Sequence, residues 1–173
     1  MRNALRRVRA VQSVIGHAEE TAGIVLVILL AIDVNLQIFA RYIFHSPFIW
    51  PEEVARMLII WMTFIGAAAL ARRGAEITVD TFVLMTPPPV RRLLYIYRDL
   101  ALIVLFGFIA MQGFALAKTV ANMPLVATGL PTSLLAWPVV IGSALTVLHC
   151  VLRLVVHAFG EDRATLHPEN SPL

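Results

Sequence analysis

The sequence predicts an all-α integral membrane protein with four transmembrane helices and a short interfacial helix between the second and third. Three observations lead there. Four apolar stretches, at 22–40 (interrupted by polar residues after Ile32), 57–71, 100–117 and 134–156, occupy most of a 173-residue chain. A helical crossing of a bilayer core needs about 20 mostly apolar residues, and water-soluble domains do not repeat such a pattern four times in this length. The composition is 59% hydrophobic and 14% charged with a mean hydropathy of +0.80, which leaves little mass for a water-facing domain. Positive charge also falls in alternate connections, as an even number of crossings requires. The expected organisation is a single four-helix membrane domain over 1–160, opening with a basic amphipathic segment at about 1–16 and followed by a mobile tail at 161–173.

The first element follows from its arginines. Arg2, Arg6, Arg7 and Arg9 lie between Leu5, Val8, Val11 and Ile15, which recur at helical spacing. That pattern predicts a short basic helix on the membrane surface. The apolar run behind it starts too late for a secretory leader, continues past Asp33 and has no small-residue cleavage pattern, so it is read as a retained span. A first span over about 17–44 is longer than a perpendicular crossing and implies tilt. Asp33, Gln37 and Arg41 are four apart and share one helical face, whereas Asn35 lies nearly opposite. Polar groups at this depth are costly in lipid and turn toward protein. Two polar faces call for neighbours on two sides, either other helices of the bundle or a partner.

The second span is introduced by Trp50, suited to the membrane interface, with Pro51, Glu52 and Glu53 in the opening turn. Arg56 is four residues from Glu52 and three from Glu53. A pair of this kind contributes well under about 1 kcal/mol when exposed, although it also helps to insert Arg56 near the apolar zone. The run Gly66-Ala67-Ala68-Ala69 lets another helix approach closely. Arg72, Arg73 and Gly74 close the span.

Residues 76–85 are too few to cross a bilayer. Arg73, Glu76 and Asp80 would line one edge of a helix otherwise composed of Ile77, Val79, Phe82, Val83, Leu84 and Met85. This predicts the interfacial helix, with a short strand as the alternative because Ile77 and Val79 alternate with polar residues. Glu76 and Asp80, two carboxylates without further ligands, are a weak signal for a metal site. Three prolines, Pro87 to Pro89, end the segment.

The third span begins near Val90 behind a basic and aromatic belt of Arg91, Arg92, Tyr95 and Tyr97. Asp99 lies beside Arg98 and Arg92, so local neutralisation is preferred to proton carriage. Gly107 and Gly113 are packing positions. The connection at 119–133 carries no charge and exposes Met123, Leu125, Val126 and Leu130, which predicts cover by protein or a place at the membrane surface. The fourth span holds Trp137, Pro138, Gly142, His149 and Arg153.

Of the 14 basic residues, eleven lie in the N-terminal arm, the second connection and the C-terminal end, and only Arg41, Arg56 and Lys118 flank the other two connections. Retained positive charge marks the cytoplasmic side, so both termini are expected there. The same distribution accounts for the pI near 9.6 without any nucleic-acid partner. Cys150 is the only cysteine, which excludes an internal disulfide and a thiolate metal site of its own.

No phosphate-cradling glycine loop, zinc-binding histidine helix or nucleophile constellation is present, so neither an enzyme nor a cofactor is expected. His149 and His157 are eight apart, with His17 toward the same side; paired histidines can ligate haem in respiratory membrane anchors. Interfacial positions for His17 and His157, and a local hydrogen bond for His149, are the plainer account.

Several segments together resemble one family. Gln37 and Arg41-Tyr42, then Trp50, Glu52, Glu53 and Arg56, then Trp61, Phe64 and Gly66-Ala67-Ala68 are similar to the DctQ-like small membrane subunit of tripartite ATP-independent periplasmic (TRAP) transporters. Arg73-Gly74, Glu76-Ile77 and Val79-Asp80 extend the likeness, with Glu76 where that family often has His. Gly129, Pro131, Trp137, Pro138 and Gly142 are a less diagnostic continuation. The resemblance implies a subunit of the bacterial inner membrane that binds a large multi-span transport subunit. That partner would carry the ion and substrate sites and move by an elevator mechanism. A periplasmic substrate-binding protein would deliver an organic acid, and an ion gradient, commonly sodium, would drive uptake. The small subunit would brace the scaffold in contact with membrane lipid. Candidate structural or partner-contact residues are Asp33, Gln37, Arg41, Trp50, Glu53, Arg56 and Gly66. The alternatives are a haem- or quinone-associated anchor of a respiratory oxidoreductase, and a small autonomous exporter using Asp33 as its proton site.

Overall fold

In a computed structural model the described residues are 2–43, 48–73 and 88–158. They form four helices: α1 (Arg2–Tyr42), α2 (Trp50–Arg73), α3 (Pro88–Thr119) and α4 (Ser133–Ala158). Each contains a stretch long and apolar enough to span a membrane. Among the described residues there is no strand, only a bridge between Pro124 and Pro131 in the α3–α4 connection. The expected interfacial helix at 76–85, with Glu76 and Asp80, and the tail at 161–173 lie outside the described residues.

The basic N-terminal segment is not a helix of its own. It is the first part of α1, which runs unbroken for 41 residues, about 60 Å at 1.5 Å per residue. No proline interrupts this stretch, so the helix propagates through it.

α2 and α4 are central, with α1 packed on α2 and α3 packed on α4. Along α1 the buried and half-buried positions include 16, 19, 23, 26, 30, 33, 37 and 40, in alternating steps of three and four, with 12, 15, 20 and 22 half-buried beside them toward the terminal end. That heptad seam keeps one side of a 3.6-residue helix against its neighbour. Small residues set the other contacts. A Cβ on Gly142 of α4 would lie 2.5 Å from Phe64 Cβ and 2.7 Å from the Phe64 carbonyl oxygen, so the α2–α4 crossing depends on that glycine. A Cβ on Gly113 of α3 would meet Val139 at 3.0 Å. Ala68, Ala71, Ala117 and Ala136 are buried as well. Lipid tails are as apolar as leucine, so close backbone approach and polar pairing, rather than burial of oil, hold such helices together.

The four helices define two ends. At the terminal end α1 and α3 begin and α2 and α4 finish. At the hairpin end α2 begins and the α3–α4 connection turns. The flanks of α1 and α3 expose large apolar side chains over the length of the spans, including Ile24, Ile28 and Ile32 on α1 and Val104, Phe108 and Met111 on α3.

Candidate functional site

Charge is concentrated where helices end. At the terminal end, two linked clusters join all four helices. Asp99 of α3 is fully buried. It accepts from Arg98 Nε and Nη2 at 3.1 and 2.7 Å, and from Arg153 of α4, Nε at 3.1 Å and Nη2 at 2.8 Å. Arg153 also donates Nη1 to the Ala71 carbonyl of α2 at 2.8 Å. A planar guanidinium presents donors in a fixed fork, which suits it to bridge a carboxylate and a helix-end carbonyl.

Beside it, Arg72 at the end of α2 pairs with Glu20 and lies 3.6 Å from Glu19 Oε2. Gly16 makes room for this, since a Cβ there would run into the Arg72 guanidinium. Glu19 Oε1 is 2.8 Å from His149 Nε2 of α4, and both side chains are buried. His149 Nδ1 is buried without a hydrogen-bond partner. With Nε2 engaged by a carboxylate and Nδ1 enclosed, His149 offers no open nitrogen to an iron. His17 instead lies against the Ser13 carbonyl on its own helix. Among the described residues no three metal-binding side chains converge.

At the hairpin end the α3–α4 connection folds back on itself. Leu125 N–H donates to Leu130 O at 2.7 Å, Gly129 N–H to Leu125 O at 3.0 Å, and Thr132 N–H to Met123 O at 2.8 Å. Gly129 has φ +69°, a left-handed turn conformation that glycine adopts without strain. Glu53, in the first turn of α2, holds the tip: Ala127 N–H donates at 2.9 Å, and Thr128 N–H and Oγ1 donate at 2.9 and 2.8 Å. One carboxylate thus satisfies two turn amides that an apolar interface could not. The uncharged loop is fixed to α2, and Val126 projects from it fully exposed. Trp137 meets Phe114 edge-on, and Lys118 lies over the Phe114 ring at 4.4 Å, which gives this end an aromatic belt.

The residues singled out in sequence are distributed over both ends and the first span. Asp33 is buried on the α1 seam and accepts from Gln37 Nε2 at 2.9 Å. Arg41 is exposed at the end of α1. Trp50 packs near Phe48, with ring centroids 6.1 Å apart. Arg56 pairs with Glu52 at 3.5 Å, both exposed, while Glu53 is committed to the loop. Gly66 faces open space, so within this chain the close approach falls to Ala68 and Ala71 rather than to the glycine.

Two of the relations not read from the sequence lie at the terminal end. His149 bonds across 130 residues to Glu19 rather than locally. Asp99 engages Arg153 as well as its neighbour Arg98. The available signal was charge balance: Glu19 and Glu20 lie in the opening turns of the first span, and Arg72 closes the second, so an antiparallel pair brings them to one depth.

The described residues form a helical membrane bundle whose ionised groups tie its own helix ends together. The chain belongs to the DctQ component family of tripartite ATP-independent periplasmic transporters, whose pattern it matches over residues 30–160. It is 25% identical over 139 residues to the sialic acid TRAP transporter small permease protein SiaQ of Vibrio cholerae, covering 80% of each chain. It is 26% identical over 151 residues to a putative TRAP transporter small permease protein of Haemophilus influenzae, covering 87% of this chain and 94% of that one. It is also 31% identical over 78 residues to the sialic acid TRAP transporter permease protein SiaT of Haemophilus influenzae, a match covering 45% of this chain and 13% of that longer protein. The protein is therefore a multi-pass inner-membrane permease subunit, not an enzyme.

Proposed function

We propose that this chain is the stationary scaffold subunit of a transporter whose import of an organic acid is driven by an ion gradient, sodium being the expected ion. Its partners are a large multi-span transport subunit, a periplasmic substrate-binding protein and the surrounding lipid. The observation that carries this reading is the tie across all four helices at the terminal end, through Asp99, Arg153, Ala71, Arg72, Glu19 and His149. Alternating access needs one repeat or bundle to rock against another. Here each helix is tied to its neighbours by buried charge, and α2 and α4 are interlocked at Gly142. The kinship to sialic acid TRAP permease proteins supports an organic acid as cargo. The basic-residue asymmetry supports a cytoplasmic terminal end and a periplasmic hairpin end. There the loop latched by Glu53, with Trp50 and Arg56 beside it, is placed to meet the binding protein.

Reconstitution tests this. Purified alone in liposomes, the chain should give no gradient-dependent accumulation of any organic acid; with its large subunit and binding protein it should. Saturable, sodium-driven uptake by this chain alone would overturn the scaffold reading and make Asp33 the coupling candidate.

A further inference from the structure

α1 has two polar faces, and the bundle uses only one. Asp33 and Gln37 lie on the seam against α2. Asn35 lies on the other side, exposed, in a shallow groove lined by Ile28, Ala31, Ile32, Leu36 and Phe39. Its Nδ2 donates to the Ala31 carbonyl one turn back, at 2.6 Å. That bond turns the amide away from the Tyr42 end of the helix, which is seven residues or about 10 Å farther along. The short side chain is thereby held toward mid-bilayer, and its oxygen and second N–H face a surface that only hydrocarbon or another protein can cover. Hydrocarbon offers no hydrogen bond, and amides at this depth are found against other helices.

We infer that the Asn35 groove of α1 seats a transmembrane helix of the large permease subunit, with a polar side chain or backbone carbonyl of that helix bonded to the Asn35 amide. The inference rests on the transporter reading above and names the surface through which it operates. Small Ala31 beside Asn35 opens a notch between the bulkier Ile28, Ile32, Leu36 and Phe39, into which a ridge of another helix fits. The occupant is a larger permease chain rather than a second copy, because the SiaT match is a stretch contained within a much longer permease polypeptide. A unit of this kind there remains joined to the rest of the permease.

A photoreactive benzoylphenylalanine placed at Leu36, in the groove, and in a separate variant at Val104, outward on α3, distinguishes the possibilities. Each variant is co-expressed with the large TRAP permease subunit of the same organism, and the complex is purified through a tag on that subunit. An adduct joining the two chains from Leu36, with little or none from Val104, is the expected result. Adducts from Val104 alone, a Leu36 adduct between two copies of this chain, or no Leu36 adduct in a complex that does co-purify would each overturn the inference and leave the transporter reading standing. Failure of the two chains to co-purify at all would remove the transporter reading and the inference with it. As a second measurement, Asn35→Leu should weaken association with the large subunit about threefold, the size of an average interhelical hydrogen bond in a membrane. The isolated bundle should keep its unfolding midpoint, because the Asn35 amide bonds within its own helix. Unchanged association, or a bundle that is itself destabilised, would count against the assignment.

Discussion

Asp99 and Arg153 support a prediction in which the order of effects matters more than their size. Asp99 accepts four hydrogen bonds from two guanidiniums while fully buried. Asp99→Leu removes the buried carboxylate that Arg98 and Arg153 both engage. Breaking a buried pair from one side costs about 3–5 kcal/mol. Arg153→Met is milder, because Arg98 keeps its two bonds to Asp99. What is lost is the Arg153 fork and its bond to the Ala71 carbonyl, for which about 2–3 kcal/mol is expected once non-additivity is allowed for. The double variant Asp99→Leu/Arg153→Met removes both charges, and the Arg98 side chain, 18% exposed, can extend toward headgroups. Most of the loss should therefore be recovered. The assay is reversible unfolding by sodium dodecyl sulfate in mixed micelles, followed by fluorescence of Trp50, Trp61 and Trp137. The reasoning is refuted if Arg153→Met costs as much as Asp99→Leu, or if the double variant costs the sum of the two.

Glu53→Ala should free the Ala127 and Thr128 amides, raising their hydrogen-exchange rate by about tenfold or more; unchanged exchange would show that the latch contributes nothing. Arg56→Ala, by contrast, should move bundle stability by under about 0.5 kcal/mol, since its pair with Glu52 is exposed. Gly142→Val should destabilise the bundle by about 1–3 kcal/mol through overpacking on Phe64, while Gly66→Val, which meets open space, should stay within about 0.5 kcal/mol; equal effects at both positions would deny the α2–α4 crossing. Tags at Met1 and Leu173 should both resist a protease added to the periplasmic side of spheroplasts, and cleavage of either would overturn the four-crossing topology.

Hydropathy and helix punctuation make the four spans, their approximate ends and the family legible from residues alone. The reason is local: a segment long enough to cross a bilayer must satisfy its backbone within itself, so its own composition declares it. The seam of α1 was half legible, because Asp33 and Gln37 sit four apart on one face while Asn35 sits opposite, yet nothing in the pattern says which face meets α2. The partners of long-range polar residues were not legible at all. Glu53 looked like a helix-opening acid beside Arg56 and proved to hold a loop 74 residues away. His149 looked self-sufficient and is bonded to Glu19. Gly66 looked like part of a small-residue patch, and within this chain it meets open space while Gly142 carries the α2–α4 crossing. Each of these depends on which helices are neighbours and at what rotation about their axes. In lipid that choice is made by close approach and pairwise hydrogen bonding between segments distant in sequence, not by the periodicity of any one of them.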